Sequence, residues 1–144
     1  MSEFVSRMKS IPYARERVYG LLSDMSNLEQ VKERIAAMGK LKVSDFTVDV
    51  DTCTAVVEPL GKIGLRIVER KGCERIRYEA VHSPFPLEMW IDLAEEGLDG
   101  THLQIRVRTA MNGFLLGMLS KQLEEGVEKF ADILAGIPYG QSST

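Results

Sequence analysis

The chain has 144 residues, enough for one domain with a substantial hydrophobic core, and its composition, 44% hydrophobic and 27% charged, is ordinary for a globular protein. Its formal net charge of −3 gives no basic surplus for a phosphate backbone, so nucleic-acid binding is not expected. No apolar run approaches the ~20 residues of a membrane span, and the first residues lack a signal-peptide pattern, which predicts a cytoplasmic protein.

Cysteines and histidines are too few and too scattered to predict a metal site. Cys53 and Cys73 are the only cysteines, and His82 and His102 the only histidines. None of the four stands at a zinc-type spacing from another ligand. We therefore expect two free thiols, no metal and no cofactor.

The first 40 residues predict one strand followed by two short helices. Residues 3–11 alternate imperfectly, as a strand does, and Pro12 suits the first turn of a helix. Apolar residues then recur at helical spacing at Val18, Leu21, Leu22 and Met25. The sequence Ser26-Asn27-Leu28-Glu29 is typical of a capping box, so it predicts a second helix that begins there and ends at Gly39.

Between residues 42 and 111 the hydrophobic period falls to two, which predicts about six antiparallel strands with one apolar and one charged face. The charged face carries residues of both signs, at Arg75, Arg77, Glu88, Asp92, Arg106 and Arg108. Trp90 shares the parity of that face. If a bulge lies in Pro84–Pro86, the parity flips and Trp90 belongs to the inner face instead.

A long helix is predicted over roughly residues 112–136. Its apolar stripe comprises Leu116, Leu119, Leu123, Val127, Phe130 and Leu134. Gly126 lies on this stripe, where it allows the sheet or a side chain to approach closely or is a tolerated imperfection of the helix. Phe114 and Met118 lie off the stripe. They are covered by neighbouring chain, belong to the mouth of a cavity, or form a self-association patch.

This order of elements resembles the START-like superfamily, the helix-grip fold of the birch-pollen allergens, START lipid-transfer domains and bacterial polyketide cyclases and dehydrases. The resemblance rests on FVSRMKSIPYARERVYGLLSDMSNL at 4–28, on PLGKIGLRIVE and SPFPLEMWIDL, and on LAGIPYG after the long helix. It implies an α+β fold in which a curved antiparallel sheet of about seven strands wraps the C-terminal helix. One domain would cover residues 1–138, with a flexible tail over residues 139–144.

The resemblance also implies a cavity between the sheet and the long helix. Inner parity then predicts its ligand-contacting residues, which are Phe46, Val48, Ile67, Tyr78, His82, Met89, Ile91, Ile105, Val107, Thr109, Leu115 and Leu119. Because most of these side chains are apolar, we expect a hydrophobic or amphipathic small molecule such as a lipid, an isoprenoid or a polyketide-like compound.

Two other functions remain open. A cyclase or dehydrase would need an acid or base beside its substrate, and His82 is the candidate, with Tyr78 as hydrogen-bond donor and Glu69 as a partner. Alternatively, the surface around Phe114 and Met118 binds another protein or a second copy of the chain.

Overall fold

The computed structural model describes residues 2–37, 42–58 and 60–139. The predicted helix end at Gly39 and the tail residues 140–144 lie outside the described residues. The strands are β1 (Ser2–Val5), β2 (Lys9–Ile11), β3 (Lys42–Val48), β4 (Thr52–Glu58), β5 (Gly61–Lys71), β6 (Arg75–His82), β7 (Leu87–Glu95) and β8 (Thr101–Thr109). The helices are α1 (Arg15–Leu22), a 3₁₀ helix (Met25–Val31), α2 (Lys32–Ala36) and α3 (Gly113–Ala135).

The eight strands form one antiparallel sheet in the order β1-β8-β7-β6-β5-β4-β3, and β2 also pairs with β8. The chain thus moves from β3 to β8 by successive hairpins, and the first strands close the edge beside β8. With two short helical segments after β2 and the long α3 at the end, this is the helix-grip arrangement predicted from the sequence.

Ser6 explains why the first predicted strand is two strands. Its backbone N–H donates to the carbonyl of Ile105 at 2.8 Å, and its hydroxyl accepts from the N–H of Ile105 at 2.9 Å. The hydroxyl therefore takes the place of a backbone carbonyl in the ladder. Pairing with β8 stops after Val5 and resumes at Lys9.

The second helical segment begins two residues before the predicted start. Asp24 is its N-cap, because its carboxylate accepts from the N–H and the hydroxyl of Ser26 at 3.0 and 2.5 Å. The prediction of a capping box at Ser26 is wrong, since the upstream carboxylate already takes that donor. The segment consists of a 3₁₀ helix and the five-residue α2 instead of one regular helix.

The long helix α3 is anchored to one side of the sheet. Asn112 caps it, with its side-chain oxygen accepting from the N–H of Leu115 at 2.9 Å. The helix packs against β8, β1, β2 and α2. Lys9 on β2 forms ion pairs with Glu128 and with Asp132, the latter at 2.8 Å. None of the described helices has a stretch long and apolar enough to cross a membrane.

Trp90 lies on the charged outer face of the sheet, as its parity predicts. The guanidinium groups of Arg106 and Arg108 each lie 5.3 Å from the centre of its ring. Arg106 also pairs with Asp92 at 3.3 Å, and Arg108 with Glu3 at 3.1 Å. The alternative in which Trp90 faces the interior is therefore wrong, because the arginines of β8 hold the indole on the outer face.

Tyr139, the last residue that the structure describes, packs against the rest of the protein. Its side chain is buried, its hydroxyl donates to the carbonyl of Leu134 at 2.7 Å, and its ring lies 6.1 Å from that of Tyr13. These contacts attach the chain to the rest of the protein just beyond α3, and the domain boundary stays a prediction.

Candidate functional site

A cavity of about 240 Å³ lies between α3 and the inner face of the sheet. The helix lines it with Gln122, Leu123, Gly126, Val127, Phe130 and Leu134. The first helical segments line it with Leu22, Met25, Leu28 and Ile35. The sheet contributes Val43, Phe46, Cys53, Thr54, Ala55, Val57, Ile63, Leu65, Tyr78, Leu87, Met89, Ile91, Ile105 and Val107.

The cavity follows from how α3 is held. Its ion pairs and packing attach it to the β1–β2–β8 side of the sheet. Most of the sheet residues that line the cavity come from the other strands, β3 to β7. The anchored helix thus leaves space over those strands, and that space is the cavity.

Half of the predicted ligand-contacting residues line this cavity. They are Phe46, Tyr78, Met89, Ile91, Ile105 and Val107. Tyr78 pairs with Met89, and Met89 pairs in turn with Val107. The residues of β6, β7 and β8 therefore form one continuous patch, as regular alternation predicts.

The other half is not among the described lining residues. These side chains are Val48, Ile67, His82, Thr109, Leu115 and Leu119. Ile67, Thr109 and Leu119 are buried elsewhere, and the hydroxyl of Thr109 donates to the carbonyl of Pro86 at 3.0 Å. Leu115 lies in the first turn of α3, ahead of the part that lines the cavity.

Two of the three candidate catalytic residues lie on the surface. His82 and Glu69 are both exposed, and neither is among the described lining residues. The pairing of β5 with β6 shifts register between Gly64 and Leu65 and again between Ile67 and Glu69. The first irregularity has its extra residue, Val81, on β6, and the second has its extra residue, Val68, on β5. Counting by twos therefore fails at His82 on β6 and at Glu69 on β5.

Tyr78 is the candidate that does line the cavity. Its side chain is only 2% exposed, and burial raises the pKa of its phenol far above the usual value. Its hydroxyl makes no hydrogen bond within the part of the chain that the structure describes. Tyr78 is therefore a neutral hydrogen-bond donor without a protein acceptor.

Cys53 lines the cavity from β4. Burial raises the pKa of its thiol to about 11, so the thiol stays protonated near neutral pH. A protonated thiol is a poor nucleophile and behaves as a small apolar group.

Gln122 is a functional candidate that the sequence interpretation missed. Its side-chain oxygen is fully buried and has no hydrogen-bond partner in the described structure. A sequence signal exists, because Gln122 stands three residues after Leu119 and four before Gly126, on the apolar stripe. A polar amide at such a position indicates either a buried network or a ligand contact.

Gly126 leaves open space in the wall of the cavity. A Cβ placed on it would meet no heavy atom within 4 Å. The expectation that the sheet or a side chain approaches this glycine closely is therefore wrong. The missing side chain enlarges the cavity instead.

The electrostatic character of the cavity is neutral. No Asp, Glu, Lys, Arg or His side chain is among the described residues that line it. Within the same described ranges, no group of three or more His, Cys, Asp or Glu side chains is placed to hold a metal ion.

Phe114 and Met118 are exposed by 77% and 50% on the first turns of α3. Within the described residues, neighbouring chain leaves both side chains exposed, and neither is among the residues that line the cavity. That the pair belongs to a self-association patch stays a prediction.

Comparison with solved structures supports the same fold. The chain is similar to norcoclaurine synthase from Thalictrum flavum in complex with dopamine and hydroxybenzaldehyde, with a TM-score of 0.70 and 8% identity over 99% of this chain and 90% of that one. It is similar to a protein from Thermobifida fusca, with a TM-score of 0.66 and 16% identity over 97% and 94% of the two chains. It is also similar to a protein from Thermus thermophilus, with a TM-score of 0.64 and 22% identity over 93% of this chain and 94% of that one.

No protein-family model and no curated protein matches the sequence. The structural matches confirm the predicted helix-grip fold. At these identities the likeness concerns the fold alone.

Proposed function

We propose that the protein binds a hydrophobic or amphipathic small molecule in the cavity between α3 and the sheet. The observation that carries the proposal is the cavity itself, about 240 Å³ lined almost wholly by aliphatic, aromatic and Met side chains. An apolar cavity of roughly 150 Å³ already admits benzene. Apolar ligand surface that leaves water for such a site contributes about 25 cal/mol per Å².

Fold likeness gives this proposal secondary support. Norcoclaurine synthase, which shares the fold, has been solved with two small aromatic compounds bound. That fact concerns the other protein, but it agrees with a small-molecule site in this one. Lipids, isoprenoids and polyketide-like compounds are the classes that the resemblance of the sequence implies.

A cyclase or dehydrase function is not favoured by the site. Acid–base catalysis needs a group that titrates near working pH beside the substrate. The described lining residues offer only Tyr78 and Cys53 as titratable groups, and burial raises the pKa of both. We therefore propose sequestration or transport without a chemical step.

Native mass spectrometry of the protein purified from its own host tests the proposal. We expect a small-molecule mass on the folded protein that disappears when the same sample is denatured. The variant Gly126→Leu, which places an isobutyl group in the open space at Gly126, should be purified without that mass. Gly117→Leu is the matched control, because Gly117 lies on the same helix with an exposed position and open space around it.

The proposal is wrong if the wild-type protein carries no small molecule and also fails to bind added neutral apolar compounds such as naphthalene. Equal retention of the bound mass by the Gly126 and Gly117 variants would place the ligand outside this cavity.

A further inference from the structure

Two polar groups in the cavity have hydrogen-bonding capacity that the protein does not use. The buried side-chain oxygen of Gln122 has no donor, and the hydroxyl of Tyr78 has no acceptor among the described residues. By contrast, the hydroxyl of Thr54 is paired with that of Thr47 at 2.6 Å, and the buried Tyr139 donates to Leu134. Gln122 and Tyr78 are thus distinguished from Thr54, the other described lining residue with a side-chain oxygen or nitrogen.

Buried polar groups in folded proteins are generally paired, so an unpaired one calls for a partner from outside the chain. Gln122 projects from α3, whereas Tyr78 projects from β6, and both line the same cavity. A ligand in the cavity thus has an acceptor on the helix wall and a donor on the sheet wall. The other described lining residues are apolar, apart from the paired hydroxyl of Thr54 and the weakly polar thiol of Cys53.

We propose that Gln122 and Tyr78 are the polar contacts of the bound molecule, and that this molecule is a neutral alcohol or phenol. The inference rests on the proposed binding function and adds the chemical class of the ligand. A hydroxyl is the smallest group that donates to the Gln122 oxygen and accepts from the Tyr78 hydroxyl. A hydrocarbon leaves both groups unpaired.

A carboxylic acid does not fit the same site. Its ionised form would be buried without a cation, because no Lys, Arg or His is among the described lining residues. The Tyr78 hydroxyl can donate to it but carries no charge, and desolvation of a carboxylate without a cation is costly. The cavity should therefore discriminate against fatty acids and other anionic amphiphiles.

Three probes of one ring skeleton test this inference at pH 7: naphthalene, 2-naphthol and 2-naphthoate. Their dissociation constants are measured by equilibrium dialysis, with each compound followed by its own fluorescence. We expect 2-naphthol to bind about three- to tenfold more tightly than naphthalene, as one or two net hydrogen bonds predict. Naphthoate should bind roughly tenfold or more weakly than 2-naphthol.

The variants Gln122→Leu and Tyr78→Phe identify the groups responsible. Each should reduce the preference for naphthol over naphthalene while naphthalene itself still binds. Gln104→Leu is the control, since the amide of Gln104 donates to the carbonyl of Ser6 at 3.0 Å and does not line the cavity. Two independent substitutions keep the test decisive if one of them impairs folding.

The outcomes separate this inference from the function on which it rests. Equal affinity for naphthol and naphthalene, or a preference that survives both Gln122→Leu and Tyr78→Phe, overturns the alcohol or phenol assignment while cavity binding stands. Tighter binding of naphthoate than of naphthol also overturns it. Failure of all three probes to bind counts against the cavity function itself.

Discussion

Gly117 and Gly126 lie on opposite faces of α3, nine residues and about two and a half turns apart. Gly126 lines the cavity and Gly117 is exposed, yet a Cβ at either position would meet no atom within 4 Å. The two glycines therefore weaken the helix to a similar degree, but only one of them creates interior space.

Gly117→Ala and Gly126→Ala should both stabilise the protein. Alanine favours a helix over glycine by about 1 kcal/mol, and neither methyl group meets a clash. We expect each variant to raise the free energy of urea unfolding by about 0.5–1 kcal/mol. Destabilisation by Gly126→Ala, with the expected gain at Gly117, would show that the space beside Gly126 is closed in solution.

Gln122→Leu should also stabilise the ligand-free protein. The substitution removes a buried acceptor that has no partner and places a side chain of similar size among apolar neighbours. We expect the free energy of unfolding to rise by about 1 kcal/mol. Gln104→Leu, which removes the hydrogen bond to Ser6, should instead lower it by about 1 kcal/mol.

These two predictions are checked by urea unfolding of the wild-type protein and the two glutamine variants. The midpoints are measured after removal of any bound molecule. If both substitutions destabilise equally, the Gln122 amide has a partner in solution and its place in the ligand site is contradicted. Both variants remove an amide group, but only the Gln104 amide has a hydrogen-bond partner in the described structure. The difference between their stabilities therefore measures the effect of the missing partner.

The residues of the cavity wall were predictable where inward-facing and outward-facing residues alternate regularly along a strand. Tyr78, Met89, Ile91 and Val107 lie on three adjacent strands whose pairing runs without a register shift. In such a stretch a period of two is sufficient to assign a face. The same regularity assigned Trp90 correctly to the outer face.

Prediction failed where one residue breaks the period. The irregularity between Ile67 and Glu69 places Glu69 on the surface although counting gives it inner parity. In β3 the register shifts between Ser44 and Thr47, where Asp45 has a φ of 52°. A bulge of this kind depends on the pairing partner, which a single strand sequence does not contain.

Gln122 was missed for a different reason. The stripe of α3 was defined from apolar residues alone, so a polar residue within it was passed over. Its importance comes from a missing partner, and a missing partner is visible only when the surrounding walls are in place.

The ion pairs of Lys9 should make stability depend on pH in the acid range. Glu128 is hydrogen-bonded by the Lys9 side chain and by the backbone N–H of Arg7, at 2.9 Å for the latter, and these contacts lower its pKa below the usual 4.5. A depressed pKa in the folded state stabilises the protein above the unfolded-state pKa. The contribution is lost as pH falls through the folded-state value.

We therefore expect Glu128→Gln to lower the free energy of unfolding at pH 7 by about 1 kcal/mol, a modest value because the group is partly exposed. The difference from the wild-type protein should shrink below about pH 4.5 and vanish at lower pH. Urea unfolding at several pH values between 7 and 3 measures it. The exposed Glu124, replaced by Gln, is the control for removing one carboxylate from the same helix. A Glu128 difference that stays constant with pH would contradict the proposed contact.

Phe114→Asp tests whether the exposed pair at the start of α3 is covered in solution. Phe114 is 77% exposed in the second position of the helix, and the first turn carries no acidic residue. A carboxylate there interacts favourably with the helix dipole, so the variant should gain about 0.3–1 kcal/mol in stability if the chain is a monomer. Light scattering of both proteins over a range of concentrations gives the oligomeric state beside the unfolding data. A loss of more than about 1 kcal/mol, together with a wild-type mass that falls on substitution, would show that Phe114 is buried against a second copy of the chain.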